Sequence, residues 1–236
     1  MGAKRDLAGM SERAAPAEVE PAPFAEAPDP EFEVLEARAV ERAAAPTLGF
    51  RARISDPSGR PIFAIALTAV ITIEPAKRAY EPGDRERLVE LFGAPERWAS
   101  TTTSFRWTRA SAIVPSFEGS TEVELEVPCS YDLEIAAAKY FDGLAGGEAP
   151  LRFHFNGTVI YEAAAGAMLM VQLPWDRSTR FGMPVAVWRR MIDAHYPYRT
   201  WVPLHTETLD RLRTLKAERG LPTFDAAIEE LLDGAR

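Results

Sequence analysis

Apolar positions along much of the chain recur with a period of two, the mark of strands that bury one side. LGFRARI sets Leu48, Phe50, Ala52 and Ile54 on one side with Arg51 and Arg53 on the other, and DPSGR then turns the chain through Pro57 and Gly59. The returning run IFAIALTAVITI, 62–73, is apolar on both sides, which predicts a strand in the middle of a sheet that Pro75 ends. In STEVELEV the alternation puts Val123, Leu125 and Val127 inside and Glu122, Glu124 and Glu126 in water. PLRFHFNGTVIY predicts an inward set of Leu151, Phe153, Phe155, Val159 and Tyr161. FEVLEARAV, SFRWTRASAIV, YDLEIAAAKYF and AMLMVQL bring the expected number of strands to about eight.

Helical periodicity interrupts and then follows these strands. GDRERLVELFG predicts a short insertion over 84–93, capped by Asp84, with Leu88, Leu91 and Phe92 buried and Gly93 as its stop. MPVAVWRRMIDAHYP predicts a helix with Pro184 in the first position and Val185, Trp188, Met191 and Ile192 on one face. In RTWVPLHTETLDRLRTLKAERGLPTFDAAIEELL a strand precedes two helices. Thr206 is the expected cap of the first and Leu209, Leu212 and Leu215 its stripe. Gly220 supplies a left-handed stop, and Thr223 caps a second helix bearing Phe224, Ala227, Ile228 and Leu231.

The expected fold is therefore mainly β with C-terminal helices, an α+β chain. An antiparallel β-sandwich or partly closed barrel of about eight strands occupies 31–175. Residues 176–236 form a helical extension packed on the sheet or on a partner subunit. Residues 1–30, rich in Ala, Pro and Glu, bury too little apolar area to offset their ordering entropy and are expected to be a disordered arm.

Composition narrows the chemistry. A chain of 236 residues that is 47% hydrophobic can bury a substantial core, and its net charge of −8 repels polyanions unless a local basic face intervenes. A lone cysteine, Cys129, excludes an intrachain disulfide and a Cys-rich metal site. No signal-like or bilayer-spanning apolar run occurs, so a cytoplasmic protein without membrane insertion is expected.

Reactive constellations are sparse. His154 lies on the polar side of its strand with Arg152 and Asn156, and His195 ends a helix, where a cation suits the helix dipole. His205 has Glu207 and Asp210 nearby but no second histidine one turn away, so no metal site is expected. Gly-x-Ser-x-Gly, Ser-x-x-Lys and Cys–His patterns and phosphate-binding loops are all missing, and neither catalytic residues nor a cofactor is predicted. PWDRSTRFGMPVAVW gathers Trp175, Asp176, Arg177, Arg180, Phe181 and Trp188, residue types enriched at binding hot spots; Trp201 joins them as a candidate protein-binding set. The plainer alternative is that Trp175, Phe181 and Trp188 wedge the helix on the sheet while Asp176 pairs with Arg180.

The strand–helix–helix order of 199–232 is that of ribbon-helix-helix DNA-binding proteins. Pro203 removes a ladder donor, however, and residues 199–236 carry six Lys or Arg against seven Asp or Glu, so nucleic acid is not an expected partner.

The segments APTLGFRARISDPSGRPIFAIALTAVITIEP, LVELFGAPERW, STEVELEVPCSYDLEIAAAKYF, PLRFHFNGTVIY, PWDRSTRFGMPVAVWRRMIDAHYP and 201–232 together resemble an uncharacterised bacterial family that carries a domain-of-unknown-function label. The resemblance spans about 31–234 and associates the chain with [NiFe]-hydrogenase gene clusters, implying an accessory role beside hydrogenase subunits or maturation proteins. It brings no catalytic residues. The order of strands, MPVAVWRRMI, HYPYRTWVPL and TLDRL is also similar to the export chaperone SecB, which implies an oligomer with client grooves.

The expected function is that of a non-enzymatic protein-binding or assembly factor, and a homo-oligomer is compatible with the exposed helical faces. A SecB-like chaperone, an enzyme of unrecognised type using His154, His195 or His205, and a DNA-binding regulator are the alternatives.

Overall fold

In the computed structural model the described residues are 27–129, 135–163, 166–197 and 204–235. Residues 1–26 of the predicted arm over 1–30, and 199–203 of the predicted strand RTWVPLH with Trp201, lie outside them.

Eight strands form two antiparallel sheets packed as a sandwich, with no closed barrel. One sheet has the order β1 (Glu31–Ala39), β2 (Thr47–Ser55), β5 (Ser120–Pro128). The other runs β4 (Phe105–Val114), β3 (Ile62–Ile73), β6 (Glu148–Glu162), β7 (Met168–Gln172), and β8 (Ser178–Pro184) also pairs with β6. The inward sets read from alternation line the interface: Leu48, Phe50, Ala52 and Ile54 are fully buried, as are Leu125, Val127, Leu151, Phe153 and Val159. Val123 is only half-buried. Each large inward side chain contributes roughly 1.5–3 kcal/mol by leaving water.

β6 is long enough to hold two partners end to end. Residues 158–162 pair with β7 and 148–154 pair with β8. Between them the chain leaves the sheet at Leu173–Arg177, its two ends tied by Leu173 N–H to the Gly157 carbonyl (2.9 Å) and Phe155 N–H to the Arg177 carbonyl (2.8 Å). Gly157, with φ 155°, sits opposite this loop, and a Cβ there would lie 2.2 Å from the Ala66 oxygen of β3. Only glycine lets β6 approach β3 so closely at that point.

Three helices close the end of the sandwich at which β3 finishes: α1 (Pro82–Phe92), α3 (Ile135–Gly143) and α4 (Val185–His195), with the short α2 (Trp98–Thr101) beside α1. Aromatic rings weld them to the sheets, with Trp107 edge-on to Phe50, Phe141 and Trp188 and Tyr140 edge-on to Phe92 and Phe105. α5 (Thr206–Glu218) and α6 (Phe224–Gly234) form a separate helical hairpin that packs chiefly on itself.

Several expectations are corrected. The segment YDLEIAAAKYF is not a strand where it is described: α3 begins at Ile135, and Ala137, Tyr140, Phe141 and Leu144 are buried at helical spacing. The total of eight strands still holds because β8 forms in a stretch read as a connection. Asp84 is not the cap of α1; the cap position is Glu81, and Pro82 takes the first turn. Thr206 is not the cap of α5 either, because His205 takes that position without a side-chain bond. Thr223 does cap α6, accepting from the Ala226 N–H (3.1 Å), and Gly220 adopts φ 62°.

Asp84 has a different task. Its carboxylate is 1% exposed and accepts the Ala145 N–H (2.6 Å) and the Arg78 guanidinium (3.3 Å), which also donates to the Gly146 and Glu148 carbonyls. It thereby ties α1 to the loop between α3 and β6. Replacing it leaves the Ala145 N–H without its acceptor and removes the carboxylate paired with Arg78, so Asp84→Ala should lower the unfolding free energy by about 2–4 kcal/mol in chemical denaturation. A loss within the scatter of ordinary surface substitutions would contradict this placement.

Candidate functional site

The outward faces of the two sheets differ in how their charges are matched. On the three-stranded sheet every arginine is answered by glutamate: Arg38 by Glu124 (2.6 Å), Arg51 by Glu36 and Glu122 (2.7 and 3.2 Å), Arg53 by Glu33 and Glu122 (3.2 and 3.4 Å). Glu36 and Glu33 sit directly across from Arg51 and Arg53, as Glu122 does from Arg53, while Glu124 reaches Arg38 over Gly49; the arginines are thus matched within a solvated face that is acidic overall.

The outward face of the five-stranded sheet is graded instead. One row across the strands reads Arg106, Thr72, Arg152, Arg180, and the next reads Arg109, Val70, His154, Ser178. Hydroxyl and amide groups follow at Ser111, Thr68 and Asn156, with Thr68 Oγ1 3.1 Å from Ser111 Oγ. Beyond them lie Ile113, Ala66 and Thr158, then Ala64, Ile160 and Met170. Ile113 and Met170 are each 73% exposed, large values for apolar side chains. A bulge in β4 between the pairs of Ile71 and Thr72 turns Trp107 into the core and leaves Arg106 and Arg109 outside.

The basic end is anchored by one carboxylate. Glu74, the outward residue just past β3, is nearly buried, and Arg152 reaches its Oε1 (2.7 Å) while Arg180 reaches its Oε2 (2.9 Å). Burial pushes the Glu74 carboxyl up, but the two guanidinium hydrogen bonds together outweigh it and hold it below the ordinary glutamate value. Among the described residues, Arg106 and Arg109 have no carboxylate within ion-pair distance. Glu148 and Glu162 lie at the two ends of β6, outside these rows.

An open strand edge borders this face. β7 has β6 as its strand partner on one side, and among the described residues no strand pairs with the other. The Leu173–Arg177 loop rises beside it, holding Trp175 91% exposed, and Arg177 in the same loop is paired with Asp29, where the described chain begins its approach to β1. This edge lies beside Met170, at the side of the sheet opposite Arg106 and Arg109 of β4.

The residues singled out between 174 and 188 separate accordingly. Trp175 and Asp176 are exposed in the loop, and Arg180 is on the basic row, paired with Glu74 rather than with Asp176. Phe181 is half-buried and meets Phe50 edge-on (6.3 Å). Trp188 is buried, its indole N–H donating to Asp142 (2.8 Å); burial pushes that carboxyl up against the lowering effect of the bond. Trp175 thus wedges nothing, Trp188 holds α4 to β4 through Trp107, and Phe181 packs β8 against β2 through Phe50. Arg106 and Arg109 were not among the candidates, because nothing in SFRWTRASAIV distinguishes them from ordinary solvent-facing residues.

The three histidines occupy different elements. His154 is on the basic rows, His205 precedes α5, and His195 places Nδ1 3.0 Å from the Met191 carbonyl and Nε2 3.2 Å from the Ala43 carbonyl. Among the described residues no group of three or more His, Cys, Asp and Glu gathers as a metal would require, and no helix is long and apolar enough to cross a membrane.

Because the folded carboxyl of Glu74 is held below its unfolded value, its stabilising effect is full above about pH 4.3 and fades as pH falls through the folded value. Wild type should therefore exceed Glu74→Gln in stability near neutral pH, with the gap narrowing in acid. Urea unfolding across that range checks this; a gap independent of pH would contradict it.

Comparison with known proteins adds a family but no activity. No curated protein matches the chain. Among solved structures, a late embryogenesis abundant (LEA) protein is similar over 66% of this chain and 70% of its own, at 16% identity and a TM-score of 0.30. The ApaA protein from Bordetella pertussis is similar over 66% of this chain and 95% of its own, at 12% identity and a TM-score of 0.26. For beta-glucosidase 3B from Thermotoga neapolitana the match covers 70% of this chain but 19% of that one, at 17% identity and a TM-score of 0.24. The model of a family of unknown function, DUF6084, matches residues 27–236, and the chain belongs to that family.

Proposed function

We propose that this protein is a non-catalytic accessory factor that binds another protein on the outward face of its five-stranded sheet. The observation that carries the reading is that, among the described residues, no carboxylate pairs with Arg106 or Arg109, on a face whose far end exposes Ile113 and Met170. Arginine forks suit carboxylates, and exposed aliphatic side chains with a neighbouring tryptophan suit a partner's apolar residues. The partner is therefore a protein segment with acidic side chains at one end and apolar ones at the other, laid on the outward face along β4 from Arg106 and Arg109 to Ile113. The apolar rows and Trp175 favour such a segment over nucleic acid, as does the net charge of −8. The resemblance to proteins encoded beside [NiFe]-hydrogenase genes favours a hydrogenase subunit or maturation protein as that partner.

Affinity capture of the full chain from its native cells tests this. Wild type should recover one dominant protein whose retention weakens as salt rises, and Arg106→Glu with Arg109→Glu should lose it while keeping the wild-type unfolding transition. Retention of the partner by the doubly reversed chain, or a shift of duplex DNA at the same arginines, would contradict the proposal.

A further inference from the structure

The strands at the ends of the two sheets differ in charge. β1 carries Glu31, Glu33, Glu36 and Arg38, β5 carries Glu122, Glu124 and Glu126, β4 carries Arg106 and Arg109, and β8 carries Arg180. Charged side chains of this kind keep an edge from pairing with another chain. β7, whose sequence is MLMVQ, has none, and its Met168, Leu169 and Met170 are all exposed.

The phase of the ladder decides which groups of β7 face its open side. At the two ends of the β6–β7 pairing, the Leu173 N–H donates to the Gly157 carbonyl and the Ala163 N–H to the Ala167 carbonyl. Bonded and non-bonded pairs alternate in an antiparallel ladder, so the bonded pairs between those ends are Leu169 with Tyr161 and Val171 with Val159. The N–H and C=O of Met168, Met170 and Gln172 therefore point away from β6.

Those three positions are symmetric about Met170. A second β7 turned by a two-fold axis there sets Met170 of one copy against Met170 of the other, and Met168 of each against Gln172 of the other. Every outward donor then meets an outward acceptor, two bonds to each pair. A slip of two residues leaves outward groups unpaired. The side chains agree with the same register: Met170 lies on the outward face beside Ile160, while on the inward face Leu169 of each copy comes opposite Val171 of the other, and no like charges are opposed. A second copy thus supplies what this edge requires, an uncharged strand that is apolar on both faces.

We propose that β7 is the dimerisation edge of this chain, pairing antiparallel with β7 of a second copy about Met170 and joining the two five-stranded sheets into one. The arginine rows of β4 then lie at the outer ends of the joined sheet, beyond β3 and β6, so the pairing does not depend on what binds them.

Sedimentation equilibrium of the full chain across the micromolar range tests the proposal. Wild type should be a dimer. Met170→Lys opposes two cations at the axis and should raise the dissociation constant at least about tenfold. Met170→Pro removes an N–H that β6 does not use, so it should keep the wild-type unfolding transition while losing both central bonds between copies, and it too should weaken self-association. Cross-linking tests the register without either variant. Native Cys129 is buried, so Met170→Cys should give a disulfide-linked dimer under mild oxidation, whereas Ile113→Cys, equally exposed but on β4, should not. A monomeric wild type, a dimer of unchanged affinity in both Met170→Lys and Met170→Pro, or equal cross-linking of the two cysteine variants would each overturn it.

Discussion

The pairing of β3 with β6 is the constraint on which the rest of the structure depends. Eleven register pairs, from Ile62 with Tyr161 to Ile73 with Leu151, hold two strands whose inward sides are almost wholly buried. β3 also pairs with β4, so its position sets where Arg106 and Arg109 project. β6 outruns β3 and carries both β7 and β8, so its length creates the loop that exposes Trp175. Gly157 sits at the changeover, and the close approach to Ala66 there keeps β6 in register with β3 on both sides of the loop. A one-residue slip in this pairing would turn the arginine rows into the core, which the burial of Phe153, Phe155, Ile71 and Ile73 forbids.

The same sandwich presents two surfaces with different consequences. Ion pairs across β1, β2 and β5 answer each arginine of that sheet locally, leaving those guanidiniums little to offer an external carboxylate. Gly49 belongs to that arrangement: a Cβ there would lie 2.0 Å from Glu124 Oε1, so its absence leaves room for the Glu124 carboxylate that meets Arg38. On the other sheet Glu74 fixes Arg152 and Arg180, and among the described residues no carboxylate pairs with Arg106 or Arg109. Cations positioned on a strand held in register by β3 need little reorganisation to receive carboxylates.

Much of the sandwich is legible in the chain because the inward sets of β2, β5 and β6 alternate cleanly. Alternation fails where alanine blurs it: in YDLEIAAAKYF, Ala137, Tyr140 and Phe141 fit a helical stripe, and alanine favours the helix. β8 escapes notice because the outward loop separates it from β7, so STRFGMP reads as a connection although Phe181 and Met183 point inward. The site is harder to read than the fold. Arg106, Arg109, Arg152 and Arg180 come from three strands, and each is an ordinary outward residue within its own strand. Only the register of β3 with its two neighbours, and of β6 with β8, brings them into adjacent rows. The aromatic segment from Trp175 to Trp188 drew notice by composition, yet it runs along the molecule from an exposed loop to the buried core.

The central claim is that the arginine rows of the five-stranded sheet are an occupied recognition surface while those of the three-stranded sheet are not. Guanidinium-selective chemical labelling, read by mass spectrometry on the isolated chain and on the chain within its native assembly, compares the two sheets in one molecule. Loss of reactivity at Arg106 and Arg109 on assembly, with Arg51 and Arg53 unchanged, is the expected result; equal labelling of Arg106 and Arg109 in both states would contradict it.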